Sequence, residues 1–146
     1  ARAGLPKPDL EGTCGRIAEI PFESETGYMA TLHKWEDGVY AFVKGKPTAV
    51  LSRSSAVSAD GDEAALDEQM REQIEHAYTE MAGRALRVLA VASKKMPDNK
   101  TELRPEDVDS GLVHLGLMGM LDPPRPEAIE AVRRCRRAGI RVIMAT

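Results

Sequence analysis

The turn at Asp37-Gly38 limits the fold of this chain more than any other feature of its sequence. It separates two runs of alternating or β-branched apolar residues, 28–35 and 39–43. Because Asp-Gly readily adopts the positive φ angles of a tight primed turn, these runs are predicted to pair as antiparallel strands. A third run of the same type, residues 16–22, precedes them. The first part of the chain is therefore predicted to form an antiparallel sheet.

Helical patterns and further apolar runs follow this sheet in the sequence. Pro47 suits a first helical turn, and a short helix is predicted from it. Residues 63–82 carry apolar side chains at three- and four-residue steps, with Gly83 as a helix stop. Strands are predicted over 85–92 and 112–121, and loops over 52–55, 58–61 and 93–105. The predicted fold class is α/β with α+β character, a largely antiparallel twisted sheet flanked by helices.

Pro123 and Pro124 mark the predicted domain boundary. Two consecutive prolines fix φ twice and remove two backbone donors, so neither a strand nor a helix continues through them. The sequence thus predicts one domain over residues 1–121 and a second segment over 122–146.

The pattern of residues 122–146 predicts half of an α/β crossover unit. Pro126 suits a first helical turn, Gly139 suits a helix end, and residues 140–145 form a buried-type apolar run. Such a strand needs parallel neighbours that this chain does not contain. The chain also lacks an initiator Met and stops inside that apolar run, so we expect a piece of a longer protein.

Composition and charge argue against several functional classes. The net charge of −3 and the pI of about 5.7 give no general attraction to nucleic acid. The apolar run 115–121 is far shorter than the roughly 20 residues of a membrane-spanning helix. Cys14 and Cys135 show no metal-ligand spacing, and we expect free thiols in a reducing compartment.

Five ordered motifs carry a resemblance to a known family. They are Pro21-Phe-Glu-Ser24 followed by Met29-Ala-Thr-Leu-His33, Phe42-Val-Lys-Gly45, Leu86-Arg-Val-Leu-Ala90, Gly119-Met-Leu-Asp-Pro-Pro-Arg125 and Ala138-Gly-Ile-Arg-Val-Ile-Met-Ala-Thr146. Together they resemble the cytoplasmic region of P-type cation-transporting ATPases of the type II, calcium-pump-like branch. The resemblance covers about the whole chain, and five matches in order are far more specific than a lone glycine motif.

The resemblance implies an ATP-binding domain of an ion pump. It implies that Phe22 and Met29 line the adenine pocket, that Lys44 reaches its base beside Gly45, and that Arg87, near Leu89, meets the phosphates. It further implies hinge or phosphate-proximal roles for Asp122, Arg125 and Thr146. Residues 1–121 would then form an N-terminally truncated nucleotide-binding domain, and residues 122–146 a hinge with part of the phosphorylation domain.

The same resemblance implies what lies outside this sequence. The family's Asp-Lys-Thr-Gly-Thr and Gly-Asp-Gly-Val-Asn-Asp motifs are absent, so no catalytic residue or Mg²⁺ ligand is expected here. The expected partners are ATP, with Mg²⁺ in the parent enzyme, and the remaining phosphorylation, actuator and transmembrane domains. The chain alone is expected to be inactive, at the cytoplasmic face of a membrane, with no nucleic-acid partner.

Three departures from the family pattern are present, and the first two bear on ATP affinity. Related sequences often carry a lysine near the phosphates at the position of Gly27, and the acidic residue near the adenine amino group would lie upstream. Lys46, Pro47 and Thr48 also leave the family's Lys-Gly-Ala-Pro-Glu element only partly intact. We therefore expect modest binding.

Strand periodicity places one requirement on the adenine pocket. Phe22 and Met29 are seven residues apart, an odd step that would put them on opposite faces of an ideal strand. The turn-prone Thr26-Gly27 must therefore break the period with a bulge or loop. For the same reason, Arg87 should project to the face of its strand opposite to Val88. The polar side of that strand would then line the nucleotide-binding cleft.

Other interpretations of the same residues remain open at this point. Phe22 and Met29 could be ordinary core residues, because large apolar side chains are usually buried. The basic run 133–137 could bind nucleic acid, although the same pattern is typical of the solvent-exposed face of a helix. A phosphatase of the haloacid dehalogenase type would share residues 122–146, but it would need its own nucleophilic aspartate motif. His33, His76 and His114 show no paired ligand spacing and are expected to be structural.

Overall fold

The computed structural model describes residues 12–35, 37–59, 61–121 and 124–143. Its main feature is a seven-stranded sheet. The strands are β1 (Arg16–Ile20), β2 (Tyr28–Trp35), β3 (Gly38–Gly45), β4 (Ser54–Ala59), β5 (Asp62–Ala65), β6 (Arg87–Met96) and β7 (Leu112–Met120). The helices are α1 (Pro47–Leu51), α2 (Glu68–Gly83), α3 (Pro105–Val108) and α4 (Pro126–Arg137).

The strand order is β1-β2-β3-β6-β7-β4-β5. Every pairing is antiparallel except that of β4 with β7, which is parallel. The prediction of a largely antiparallel sheet flanked by helices is confirmed. The antiparallel pairing of the second and third runs is also confirmed, with Trp35 opposite Gly38 as the last pair before the turn. Gly38 has a φ of 149°, a value that favours glycine.

One face of this sheet carries the hydrophobic core. Alternate residues of the central strands point to it, as the two-residue strand period requires. The core consists of Tyr28, Ala30, Leu32, Val39, Ala41, Val43, Val50, Ala90, Ala92, Met96, Val108 and Leu112. Both α1 and α2 pack on this side, where Met81 of α2 lies against Gly119 and α1 contributes the buried Val50.

Residues 54–65 differ from the sequence prediction. Polar and loop segments, followed by the start of a long helix, were predicted there, but the chain forms the hairpin β4–β5. The small side chains of this segment give little period-two signal, and pairing with β7 decides the conformation. The helix begins only at Glu68, because Asp67 caps it by accepting a hydrogen bond from the Met70 amide at 2.7 Å.

The loop predicted from residue 93 is also wrong at its start, since β6 runs on to Met96. Lys94 lies within this strand, and its ammonium donates to the carbonyl oxygens of Asp107 and Ser110, both at 2.8 Å. These two hydrogen bonds hold the ammonium of Lys94, a residue of the predicted loop, against backbone carbonyl groups. The same region contains α3, which the sequence prediction missed.

The helix predicted after the double proline is confirmed as α4, and Gly139 ends it. Gly139 has a φ of 73°, and the Ile140 amide bonds the Cys135 carbonyl at 2.9 Å, as in a Schellman motif. The strand predicted from residue 140 is not formed over residues 140–143. A strand needs a partner for its backbone groups, and the described part of the sheet offers none there.

Candidate functional site

The candidate site lies on the sheet face opposite the core. In the antiparallel ladders, Met29 is the direct partner of Lys44, and Lys44 is the direct partner of Val91. Directly opposed residues project to the same face, so these three side chains form one row across β2, β3 and β6. The Met29 and Val91 side chains are half-buried and Lys44 is exposed. The register thus brings two of the predicted site residues together.

Leu89 and Arg87 continue this surface along β6. They stand two and four residues before Val91, so the strand period puts both on the face of Lys44 and directs Val88 to the other. Four residues correspond to about 13 Å at roughly 3.3 Å per residue. Arg87 is exposed and opposes Met120 of β7. The prediction that Arg87 faces away from Val88 agrees with this register.

Phe22 lies outside the strand in which it was predicted. β1 ends at Ile20, and the chain turns over the next seven residues before β2 begins. The Gly27 amide donates to the Glu23 carbonyl at 2.8 Å, and Gly27 has a φ of 73°. The required break in the strand period is therefore present, as a loop. Phe22 is 54% exposed in this loop. The alternative interpretation of Phe22 as a core residue does not explain this exposure.

Gly45 fits closely against the backbone at the end of β2. A Cβ atom added there would overlap the Gly27 carbonyl oxygen and would lie 2.6 Å from the Tyr28 Cα. The same Gly27 oxygen accepts a hydrogen bond from the Lys46 amide at 2.8 Å. Glycine at 45 lets the loop that carries Phe22 join the end of β3.

A concavity of about 130 Å³ lies around the row of Met29 and Lys44. Its remaining lining residues are Arg16, Thr31, Phe42, Val43 and Val91. Arg16, Thr31 and Phe42 were not among the predicted site residues. Thr31 and Phe42 lie two residues from Met29 and Lys44, so the strand period alone could have indicated both.

Phe42 also joins this concavity to an aromatic surface. Its ring lies 5.8 Å from His33 edge-on, 6.4 Å from Trp35 and 6.4 Å from Tyr40 in a stacked arrangement. These separations are typical of favourable aromatic pairs. The aromatic residues therefore support Phe42, which forms one wall of the site.

The sequence matches the model of the family described as "P-type ATPase, cytoplasmic domain N" over residues 2–127. The chain belongs to this family. The match extends a few residues past the double proline and includes every described strand of the sheet.

Curated relatives of this P-type ATPase domain are cation pumps. The chain is 44% identical to the cation-transporting ATPase pma1 of Synechocystis sp. over 147 residues, which cover 100% of this chain and 16% of the relative. It is 37% identical to calcium-transporting ATPase 1 of Lactococcus lactis, covering 99% of this chain and 16% of the relative. It is 39% identical to the sodium/potassium-transporting ATPase subunit alpha-A of Artemia franciscana, covering 90% and 14%. The chain thus spans about one sixth of the length of these relatives.

The cations of this N-domain site carry no ion-pair partner within the described residues. No carboxylate there lies within ion-pair distance of Lys44, Lys46 or Arg87. The ion pairs that do form, such as Arg16 with Glu19 at 2.6 Å, involve other basic side chains. These three positive charges, grouped where β3 ends and β6 begins and without a carboxylate partner among the described residues, favour an anionic ligand.

The proposed hinge residues are only partly described. Arg125 is exposed and directly precedes α4, while Asp122 and Thr146 lie outside the described residues. Two arginines of α4 share one acid, because Glu130 bonds Arg133 at 2.9 Å and Arg134 at 3.4 Å. This partial neutralisation suits a solvated helix face, and the family match likewise favours the pump assignment over a nucleic-acid-binding domain or a phosphatase.

Two further properties of the N domain concern metal ions and membranes. Across the described ranges, no three His, Cys, Asp or Glu side chains are grouped so as to hold a metal ion. Among the helices described, none combines the length and the hydrophobicity needed to cross a bilayer.

Proposed function

We propose that this domain binds ATP on the sheet face opposite the core, as the nucleotide-binding part of a cation-transporting ATPase. The observation that carries the proposal is the shared row of Met29 and Lys44. It sets the apolar, flexible side chain of Met29 directly beside the ammonium of Lys44, near the loop that carries Phe22. A ligand with a flat ring and a charged tail matches this arrangement.

The adenine ring is proposed to lie between Phe22 and Met29. A flat, weakly polar ring is favoured by one stacked aromatic and by an adaptable thioether. Phe22 is exposed in a loop and Met29 is half-buried at the sheet surface, so both present apolar area to a ligand. Phe42 and its aromatic neighbours close one side of this surface.

The phosphates are proposed to extend from Lys44 towards Arg87. A lysine offers a point charge with three donors, whereas an arginine offers a planar fork that can bind two oxygens. The site face of β6 connects the two through Val91 and Leu89. Charge-assisted bonds of this kind hold the phosphate chain extended, with its end near the start of β6.

The chemistry of the pump is proposed to occur outside this chain. In P-type ATPases the bound nucleotide is carried to an aspartate that accepts the γ-phosphoryl group, and the aspartyl-phosphate drives cation transport. The domain's contribution to that step is to bind and position ATP. We assign Mg²⁺ to the parent enzyme, and we expect binding without hydrolysis by this chain alone. On the same basis, residues 122–146 are proposed to form the hinge and part of the phosphorylation domain.

Titration with ATP, followed by backbone amide chemical shifts, tests this proposal. We expect the amides of Phe22, Lys44 and Arg87 to shift together with one apparent Kd, while those of β5, an edge strand separated from β6 by β7 and β4, stay unchanged. The absence of ATP-dependent shifts at all three positions would contradict the proposed function. Shifts confined to α4 would instead favour its basic face as the anion site.

A further inference from the structure

Lys46 lies next to the proposed phosphate path. It follows Lys44 by two residues, its backbone is still extended (φ −56°, ψ 133°), and its amide bonds the Gly27 carbonyl. Continuing the β3–β6 register by one residue brings Lys46 level with Leu89. Lys46 therefore belongs to the row between those of Lys44 and Arg87, and the strand period gives it the same face.

The aliphatic part of Lys46 covers Gly27. A Cβ atom placed on Gly27 would lie 2.9 Å from the Lys46 Cδ and 3.4 Å from its Cγ and Cε. The φ of 73° at Gly27 also disfavours a side chain there. The Lys46 side chain thus occupies the space into which a longer residue at position 27 would extend.

The ammonium of Lys46 is held in place but is not neutralised. It donates to the Ser24 carbonyl at 3.1 Å, and the side chain is exposed. Within the described chain, Glu23 and Glu25 of the same loop form no ion pair with it. An ammonium has three donors, so two N–H groups and the full charge remain available.

We propose that Lys46 is a phosphate-binding residue of this site, placed between Lys44 and Arg87. Its ammonium keeps the Ser24 carbonyl as one partner and donates its remaining hydrogens to phosphate oxygens. The inference rests on the proposed function, because it assumes that an adenine nucleotide occupies this face.

The Lys46→Met variant tests this role, because methionine keeps an unbranched apolar side chain over Gly27 and removes the charge. The Kd values of ATP and adenosine are measured for both proteins by calorimetry. We expect the affinity for ATP to fall about five- to tenfold, as for loss of one exposed charge-assisted contact. The affinity for adenosine should be unchanged, and Lys46→Arg should restore most of the binding of ATP.

Lys34→Met is the matched control. It removes one exposed lysine from the sheet at the far end of β2, where no proposed ligand contact exists. This variant should bind ATP like the unmodified protein, so that a loss in Lys46→Met cannot be ascribed to net charge.

Three results would overturn the inference. Equal losses for ATP and adenosine would show that Lys46 acts only by fixing the loop of Phe22. An unchanged affinity for ATP would remove Lys46 from the site while leaving the proposed function intact. Failure of the unmodified protein to bind ATP would overturn the proposed function and this inference with it.

Discussion

The carbonyl oxygen of Gly27 occupies the space in which a side chain at Gly45 would begin. Gly45→Ala should therefore force the β1–β2 loop away from β3. Overpacking costs about 1–3 kcal/mol, and we expect about 2–3 kcal/mol because the obstructing atoms are backbone. Urea unfolding followed by the fluorescence of Trp35, the one tryptophan, measures this loss.

Gly15→Ala is the control for that substitution. No atom lies within 4 Å of a Cβ built at Gly15, and its φ is not in the positive range. Its free energy of unfolding should change by less than about 0.5 kcal/mol. Equal effects of the two substitutions would contradict the close fit at Gly45.

Phe22→Ala should weaken ATP binding without unfolding the domain. Phe22 is 54% exposed, so its truncation removes little core packing. We expect at least about a tenfold rise in the Kd for ATP, from the loss of a stacked aromatic, and a melting temperature close to that of the unmodified protein.

Leu32→Ala provides the opposite case. Leu32 is fully buried in the core, and its truncation should cost about 2–5 kcal/mol of stability. If Phe22→Ala lowers the melting temperature as much as Leu32→Ala does, Phe22 is a structural residue and the adenine assignment fails.

His114 should make the domain less stable in mild acid. Its side chain is buried, its Nδ1 has no hydrogen-bond partner within the described residues, and burial lowers the pKa below the usual 6.5. As the pH falls below about 6.5, the unfolded chain takes up a proton that the native chain does not. As the pH is lowered, the free energy of unfolding should therefore decrease until the pH reaches the pKa of His114 in the native protein. The decrease should be at most about 1.4 kcal/mol per pH unit.

Urea midpoints at about pH 7.5 and about pH 5.5 check this pH dependence. The decrease in stability should be smaller in His114→Leu, which removes the titrating ring. It should persist in His76→Leu, because His76 is exposed on α2. Parallel behaviour of the unmodified protein and His114→Leu would show that His114 does not carry the effect.

Lys100 should stabilise the region of α3 through Asp107. Burial tends to raise the pKa of Asp107, but hydrogen bonds from the Lys100 ammonium at 2.6 Å and from the Arg104 amide at 2.8 Å lower it below 3.8 overall. Lys100→Met should cost about 1–2 kcal/mol at neutral pH, because a partly buried charged bond is lost. The difference should disappear as the pH falls through the native pKa of Asp107, since the protonated acid no longer attracts the ammonium.

Lys95→Met serves as the exposed comparison for this ion pair. Lys95 faces Asp37 at 3.8 Å, with both side chains mostly in solvent. Exposed pairs contribute about 0–1 kcal/mol, so this substitution should have a small effect. A larger loss from Lys95→Met than from Lys100→Met would contradict the assigned role of burial.

The sequence predicts this fold best where apolar periodicity is strong. The hairpin of β2 and β3 follows from alternation around Asp37-Gly38, and α4 follows from its proline start and glycine end. The strand β4 was missed because small side chains leave no such signal, and its conformation depends on pairing with the distant β7. A loop is predicted from residue 93, yet Lys94 is held in β6 by two carbonyl groups that no local sequence pattern reveals.

The site was predictable only in part for a related reason. The resemblance indicates Met29, Lys44 and Arg87, and strand periodicity predicts which way Arg87 faces. Only the register of β3 between β2 and β6 shows that Met29 and Lys44 are neighbours. Lys46 was set aside as a departure from the motif. Its relation to Gly27 depends on where one backbone crosses another, which no short sequence pattern expresses.

The strand order also bears on how the domain is made. β1, β2 and β3 are consecutive in sequence and in space, so this meander can form as soon as its residues leave the ribosome. The hairpin β4–β5 cannot join the sheet until β7, the last of the described strands, has been synthesised, because among the described strands only β7 pairs with β4 on its other side. More than forty residues separate Ala65 from Leu112. While they are synthesised, the backbone groups of β4 that later pair with β7 remain unpaired. Completion of β7 is thus the event that protects the domain from association with other chains through that edge.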